Sequence, residues 1–439
     1  MTAVSPADEE FKLDVLKRLI VFAIVLALFY VGENYDLFYK LRALGDERSA
    51  TMTIETSGGG GSLRPLMFFA LGMIGVICWM WRPSGLQTNV HGWLPLLTFA
   101  FVVYSSLSIL WADDQEIVIR RVITLVLTCM GAYGIVYRFS NRDLVMFCFL
   151  SGAILGLLSL GAEIATGLFK PWTSEYRLYG IMHTNTLGAM MAIFTLSAIA
   201  LRRMSERHRV WYLFWIVVGL ALLILTKSRT AMFGFIAALW VWVVFGSTNR
   251  KRLAALCLLT LALAIPAAVI LFGEELGLLA KQTVLMGREG NSPETLTGRI
   301  PLWNFLISNY LDARPLFGYG FQGFWSPEHI IRVSASQDWL IMHAHSGYLN
   351  LVLELGYVGL VLFSIVLLLT TRRAYAYFRA TGDLSWLFMA CLIVWAIVAS
   401  FFDSHLLTSS LRNFICMLAI AKVCVFDPRF VRVREPAYA

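Results

Sequence analysis

Long apolar runs separated by short polar joints make up most of this chain. A run of about 17 or more apolar residues is long enough to cross the hydrocarbon core of a bilayer as a helix. The sequence contains twelve such runs, at residues 15–32, 65–81, 92–111, 118–137, 143–163, 185–201, 210–226, 229–246, 252–272, 346–370, 385–402 and 406–425. The pattern predicts an all-α, polytopic transmembrane helical bundle of about 12 helices.

Basic residues between the apolar runs predict the orientation of the bundle. They form four clusters, at residues 202–209, 250–252, 372–379 and 429–434. Counting spans from a cytoplasmic N-terminus places every cluster on the cytoplasmic side, as the positive-inside rule requires. The first apolar run lacks a small-residue cleavage site, so we interpret it as a retained helix. Both termini are then cytoplasmic.

A long segment between spans 9 and 10 departs from this pattern. It exceeds a simple connection, and its amphipathic stretch at residues 300–311 indicates helices that lie on the membrane or fold against the bundle. The predicted organisation is transmembrane helices 1–9 with short loops at 1–272, a periplasmic segment with short helices at 273–345, and transmembrane helices 10–12 with a cytoplasmic tail at 346–439.

Composition agrees with a membrane protein. Of 439 residues, 58% are hydrophobic and 15% are charged, which leaves more apolar surface than a soluble chain can bury. The net charge of +8 comes largely from the orienting clusters and predicts no nucleic-acid partner. All 7 cysteines lie within or at the end of apolar runs, which predicts neither a disulfide nor a zinc site.

His345 is the leading candidate for chemistry, because it precedes the tenth span at the predicted outer face. Its imidazole can accept a proton near neutral pH, which suits a general base acting on a sugar hydroxyl. An interfacial histidine bonded to headgroups or backbone is the structural alternative. Gly356 and Gly359 follow about three to four turns deeper, where small residues let a neighbouring helix approach closely.

Cations at the same predicted face form a second group of candidates. Lys227 and Arg229 lie in a short joint, and Arg299 precedes an apolar and aromatic stretch. A guanidinium matches phosphate geometry, so a lipid-linked diphosphate would be a fitting ligand. Ordinary snorkelling toward lipid headgroups is the alternative, although the positive-inside rule makes cations unexpected on this side.

Three further residues are secondary candidates. Arg177 and His183 precede the sixth span, where Thr184 is the predicted helix cap. Glu354 is an ionisable residue within the tenth span, which suggests either a functional carboxylate or a protonated, hydrogen-bonded structural one. The acidic joint at residues 113–116 shows no metal-ligand spacing, so no metal is predicted.

These motifs resemble those of the O-antigen ligase (WaaL) family, within a group that includes O-antigen polymerases and protein O-oligosaccharyltransferases. The resemblance rests first on His345-Ser346, nine residues, Gly356, two residues and Gly359. Ser228-Arg229, Gly298-Arg299 and the segment 318–321 add to it, as does the long outer segment before the histidine. The helical layout is similar across most of the chain.

The resemblance implies a glycosyltransferase at the periplasmic face of the bacterial inner membrane. It would move O-antigen polysaccharide from undecaprenyl diphosphate to lipid A-core oligosaccharide, with inversion and without metal or other cofactor. His345 would be the base, and Arg229 and Arg299 would hold the diphosphate. Lys227, Arg177 and Arg288 would assist.

Other functions remain open at this point. An O-antigen polymerase would use the same donor, and protein O-glycosylation belongs to the same group. A lipid-linked glycan transporter is a different class, against which sparse intramembrane charge and candidates clustered at one surface both count. The spacing favours His345 over His343, which would then be an orienting neighbour.

Overall fold

The computed structural model describes residues 6–33, 35–37, 39, 63–81, 92–173, 176–246, 256, 260, 296–337, 339–404 and 406–426. In that part of the chain all regular structure is helical. The helices are α1 Pro6–Gly32, α2 Leu63–Met80, α3 Trp93–Leu107, α4 Gln115–Arg138, α5 Asn141–Ala165, α6 Thr184–Met204, α7 Arg209–Leu225, α8 Arg229–Gly246, α9 Leu296–Leu306, α10 Pro327–Gln337, α11 Gly347–Thr381, α12 Leu384–Ala399 and α13 Leu411–Val425. A 3₁₀ turn, Ser108–Trp111, extends α3, and a π-helical turn, Ile307–Leu311, extends α9.

Long apolar helices confirm the all-α membrane fold predicted from the hydrophobic pattern. Eight helices within the described residues are long and apolar enough to cross a membrane, namely α1 from Val15, α2, α3 with its 3₁₀ turn, α4, α5, α6, α8 and α11. The shorter apolar helices α7 and α12 also coincide with predicted runs. The run at 252–272 lies outside the described residues except for residues 256 and 260, so the count of about 12 helices stays a prediction.

Polar contacts identify one end of the bundle, here called the Arg18 end. Arg18 on α1 pairs with Asp143 on α5 at 3.0 Å. Asn141 at the start of α5 donates a hydrogen bond to Asp383, which precedes α12, at 3.0 Å. The start of the apolar part of α1 therefore lies beside the first residues of α5 and α12, as alternating spans require. Which compartment this end faces stays a prediction.

The opposite end, here called the His345 end, gathers the other helix termini. Glu33, just after α1, accepts a hydrogen bond from the backbone N–H of Leu411 at the start of α13 (2.7 Å). The backbone N–H of Gly347 at the start of α11 donates to the carbonyl of Ser400, just after α12 (2.8 Å). Nearly every predicted site residue that the structure describes lies at or near this end.

Helix α11 is broken at Gly356, whose φ of 66° and ψ of −173° are not helical. The break releases carbonyls from the hydrogen-bond pattern of the helix, and backbone N–H groups of a loop donate to them instead. The N–H of Tyr319 donates to the carbonyl of Leu353 (2.9 Å), and that of Gly320 donates to the carbonyl of Glu354 (2.8 Å). Residues 315–320 therefore run along the unwound part of α11.

This loop corrects the expectation that a neighbouring helix approaches Gly356 and Gly359. A Cβ atom on Gly356 would overlap the backbone of Leu316, whereas one on Gly359 would meet the side chain of Leu355 in its own helix. The close approach is made by a loop because the broken helix offers backbone acceptors. Gly356 also needs the positive φ that glycine adopts without a steric penalty.

Two short joints were predicted between helices, and the structure confirms one of them. Helix α7 ends at Leu225 and α8 begins at Arg229, as expected. The predicted joint at 403–405 is wrong in length, because α12 ends at Ala399 and α13 begins at Leu411. Its extra residues are held by local caps, such as the donation from Asn413 Nδ2 to the carbonyl of Thr408 (2.7 Å).

Candidate active site

His345 lies just before α11, where Ser346 caps the helix by accepting a hydrogen bond from Leu349 (3.4 Å). Its φ of 53° falls in the left-handed region, which non-glycine residues seldom adopt and which often marks functional segments. The ring centroid of His343 lies 4.2 Å away in an edge-to-face arrangement, and that of Trp339 lies 5.5 Å away. The two histidines therefore form one imidazole pair beside an indole.

Ala344, between the two histidines, has both its backbone N–H and its backbone carbonyl hydrogen-bonded. The N–H of Ala344 donates to Oδ1 of Asn350 (2.9 Å), which also accepts from the indole of Trp325 (3.0 Å). The carbonyl of Ala344 accepts from Nε1 of Trp303 (2.7 Å). Because these partners come from α11, the segment before α10 and α9, the fold itself sets the position of the imidazole pair.

Arg299 reaches the same region from α9. It lies one helical turn before Trp303, so the guanidinium and the indole that binds Ala344 extend from the same helix face. Its Nη1 donates to the carbonyl of Phe402 (3.1 Å), and the residue is 8% exposed. Helix α9 thus contacts the histidine segment through Trp303 and the residues after α12 through Arg299.

The α7–α8 joint forms a second basic cluster at the His345 end. It contains Lys227, whose φ is 47°, and Arg229, the first residue of α8. Ser228 Oγ donates to Oδ1 of Asn185 (3.2 Å), which ties the joint to the start of α6. Helix α8 packs against α12, which ends just before Ser400, the residue whose carbonyl accepts from Gly347 near His345.

Arg177 joins this second cluster. Its Nε donates to the carbonyl of Thr226 (3.3 Å), and its Nη2 donates to Oγ1 of Thr184 (2.6 Å). Thr184 was the predicted cap of α6, and that prediction is wrong. His183 caps the helix instead by accepting from the N–H of Asn185 (3.2 Å), which leaves the Thr184 hydroxyl to bind Arg177.

Glu163 holds the segment that carries Arg177, and the sequence analysis missed it. The residue is 1% exposed; Oε2 accepts from the hydroxyl of Tyr176 (2.6 Å), and Oε1 accepts from the backbone of Tyr179 (2.8 Å) and Gly180 (3.1 Å). Burial and the hydrogen bond to Glu163 raise the pKa of Tyr176, so its hydroxyl stays a donor. The available signal was a carboxylate at the end of an apolar run.

We expect Glu163→Leu to loosen this segment and destabilise the protein by about 3 kcal/mol or more. The change removes the acceptor of three hydrogen bonds, from Tyr176, Tyr179 and Gly180, at roughly 1–3 kcal/mol each. Thermal unfolding in detergent measures the loss, and tryptic cleavage after Arg177 reports it locally. Glu206→Gln is the control, because that residue forms an exposed ion pair with Arg209. A wild-type melting temperature with unchanged cleavage would contradict this role.

Glu354, a secondary candidate, lies away from the imidazole pair. It is buried, its carboxylate accepts a hydrogen bond from the backbone of Gln322, and Arg121 is close enough to interact electrostatically. Its carbonyl binds Gly320, so the residue holds the loop against the broken part of α11. These contacts connect Glu354 to the loop at residues 315–322. Arg288 lies outside the described residues.

The two aspartates of the acidic joint at residues 113–116 each have a local structural contact. Asp113 pairs with Arg314 at 2.7 Å, and Asp114 caps α4 by accepting from Ile117 (2.9 Å). Among the residues that the structure describes, no cluster of three His, Cys, Asp or Glu side chains is arranged to hold a metal ion. That the protein needs no metal stays a prediction.

Comparison with known families identifies part of the chain. Residues 214–364 match the model of the O-antigen ligase family (Wzy_C). The matched segment contains Lys227, Arg229, Arg299, His343 and His345, whereas Arg177 and His183 lie before it. No curated protein matches the chain. The family match confirms the resemblance seen in the sequence: residues 214–364 are similar to the O-antigen ligase family.

Proposed function

We propose that the protein transfers O-antigen polysaccharide from undecaprenyl diphosphate to the lipid A-core oligosaccharide. One observation carries the proposal: Trp303 and Arg299, one turn apart on α9, bind the histidine segment and the adjoining 400–410 joint. A base and a diphosphate-binding cation are the two groups that such a transfer requires. The family match supports the same class of reaction.

His345 is the proposed general base. Its imidazole removes the proton from an acceptor sugar hydroxyl as that oxygen attacks the anomeric carbon of the donor. A new glycosidic bond forms with inversion, and the bond between the anomeric carbon and the diphosphate oxygen breaks. The undecaprenyl diphosphate leaves as a stable anion, so it needs positive charge rather than a strong general acid.

Arg299 and Arg229 are the proposed diphosphate ligands. Guanidinium groups present planar pairs of donors that fit phosphate oxygens, and burial strengthens such contacts. Lys227, Arg177 and Arg288 are proposed to assist. No metal or other cofactor enters this mechanism, because fixed cations offset the charge that develops on the leaving group.

The proposed reaction takes place at the periplasmic face of the inner membrane. Both substrates are anchored by lipid, so a site at the end of a helical bundle meets them without extracting either from the bilayer. Because both substrates are anchored in the same membrane, their reacting groups are confined near its surface and have a higher effective concentration. The position of the imidazole pair at one end of α11 fits this arrangement.

A polymerase is the second candidate, because the same lipid-linked donor and the same base would extend a donor chain instead. The assay that separates the two uses purified protein in lipid vesicles with lipid-linked polysaccharide, lipid A-core and EDTA. We expect glycan joined to lipid A-core at a rate within about twofold of that measured with added Mg²⁺. The product is resolved by gel and mass spectrometry.

Different products would overturn the proposal in different ways. Longer donor chains that form without lipid A-core would identify a polymerase. Movement of labelled donor across the vesicle without a new glycosidic bond would identify a transporter. Loss of joining in EDTA that Mg²⁺ restores would remove the metal-independent mechanism.

A further inference from the structure

A buried ion pair lies beside the candidate active site and has no part in the mechanism above. Arg412 Nη1 and Asp403 Oδ2 are 3.3 Å apart, and their side chains are 4% and 11% exposed. Arg412 is the second residue of α13, within an apolar run. Burying two charges is costly, and such pairs are weak sources of net stability. Net stability therefore does not explain this pair, whereas a role in fixing the geometry of the neighbouring backbone would.

Glu33 lies on the other side of Arg412. Its Oε1 accepts from the backbone of Leu411 (2.7 Å), and it attracts the Arg412 guanidinium electrostatically. Burial raises the pKa of Glu33, while the Leu411 amide and Arg412 act in the opposite direction. Arg412 thus connects the end of α1 to the 400–410 joint.

The 400–410 joint contacts both parts of the candidate active site. The carbonyl of Ser400 accepts from Gly347 (2.8 Å), two residues after His345. The carbonyl of Phe402 accepts from Arg299 (3.1 Å). Asp403 follows directly, so a shift of its side chain would move a backbone that both groups contact.

We infer that Arg412 is a positioning residue of the proposed glycosyl transfer. Through Asp403 it fixes the 400–410 joint, and the joint sets the distance between His345 and Arg299. The inference rests on the proposed function, and Arg412 itself contacts neither substrate. A misplacement of about 1 Å between a base and a bound leaving group costs on the order of 100-fold in rate.

The matched control is the ion pair of Arg18 and Asp143. It joins the same residue types at 3.0 Å, with side chains 26% and 18% exposed, but at the opposite end of the bundle. A general loss of packing would affect both pairs alike. A positioning role would affect only the pair at the His345 end.

The experiment measures transfer kinetics of Arg412→Gln and Arg18→Gln in vesicles, with melting temperatures alongside. We expect Arg412→Gln to lower kcat for transfer by about 10- to 100-fold. Arg412→Lys keeps the charge and should recover part of that loss. The kcat of Arg18→Gln should stay within about twofold of wild type, even if its melting temperature falls as much as that of Arg412→Gln.

A double-mutant cycle tests the path through the joint. If Arg412 acts by placing Arg299, then Arg299→Ala combined with Arg412→Gln should weaken donor binding scarcely more than Arg299→Ala alone. Arg299→Ala combined with Arg18→Gln should show independent effects, because the sites are far apart. Binding of undecaprenyl diphosphate provides the readout without any transfer.

Either of two results would overturn the inference: wild-type kinetics in Arg412→Gln, or independent effects of Arg412→Gln and Arg299→Ala on donor binding. Failure of the proposed function looks different. In that case wild-type protein would join no glycan to lipid A-core, whereas the binding cycle would still report whether Arg412 places Arg299.

Discussion

His345→Ala is expected to lower kcat for glycan transfer by about 10²- to 10⁴-fold, the range for removal of a general base. Binding of undecaprenyl diphosphate should change by less than about twofold, because the imidazole acts on the acceptor hydroxyl and the diphosphate is held by arginines. Single-turnover transfer in vesicles gives the first quantity, and equilibrium binding of the donor lipid gives the second.

Two other histidines provide the controls. His343→Ala should reduce kcat less than His345→Ala, because an orienting neighbour holds the imidazole but does not take the proton. His329→Ala should leave kcat within about twofold, since that ring stacks on Phe324 and bonds to its carbonyl (2.7 Å). A larger loss of kcat in His343→Ala than in His345→Ala would exchange the two roles. Full activity in both of these variants would exclude a histidine base.

The apolar pattern predicted the helices well because lipid leaves the backbone few alternatives. Inside a bilayer each peptide group must bond within its own segment, so an apolar run of sufficient length becomes a helix. The predicted span at 229–246 coincides with α8, and the run at 15–32 coincides with the apolar part of α1. Local sequence decides such elements.

Helix ends and breaks were harder to predict, because tertiary contacts decide them. The run at 385–402 ends early at Ala399, where the carbonyl of Ser400 accepts from Gly347. Helix α11 breaks at Gly356 because residues 315–320 bind the released carbonyls. Those partners are distant in sequence, so no local window contains them.

The candidate site shows the same division. Residue chemistry and spacing pointed to His345 and Arg299, and both roles stay predictions. In the structure, Arg299 and Gly347, two residues after His345, contact the same joint. The residues that hold them were missed, because a supporting role depends on a partner that spacing cannot reveal. Asn350 has the sequence pattern of an ordinary polar residue in a span, yet it accepts a hydrogen bond from the N–H of Ala344, between the two histidines. The role inferred for Arg412 likewise depends on its ion pair with Asp403, which the sequence alone does not reveal.

Arg299→Ala is expected to weaken binding of undecaprenyl diphosphate by about 10- to 100-fold, since a hydrogen bond from a charged group contributes roughly 1.5–3 kcal/mol. Arg299→Lys should recover only part of that affinity, because an ammonium lacks the planar pair of donors. Arg332→Ala is the control, as its guanidinium is exposed and pairs with Glu328 on the same helix.

The kinetic consequence of Arg299→Ala separates binding from chemistry. A cation that holds the diphosphate only in the bound donor raises KM, whereas one that also meets the charge of the leaving group lowers kcat as well. We expect both changes, because the oxygen that leaves gains negative charge as its bond to the anomeric carbon breaks. Wild-type donor affinity together with wild-type kcat would exclude Arg299 from the diphosphate site, and Arg229→Ala would then identify the cation that remains.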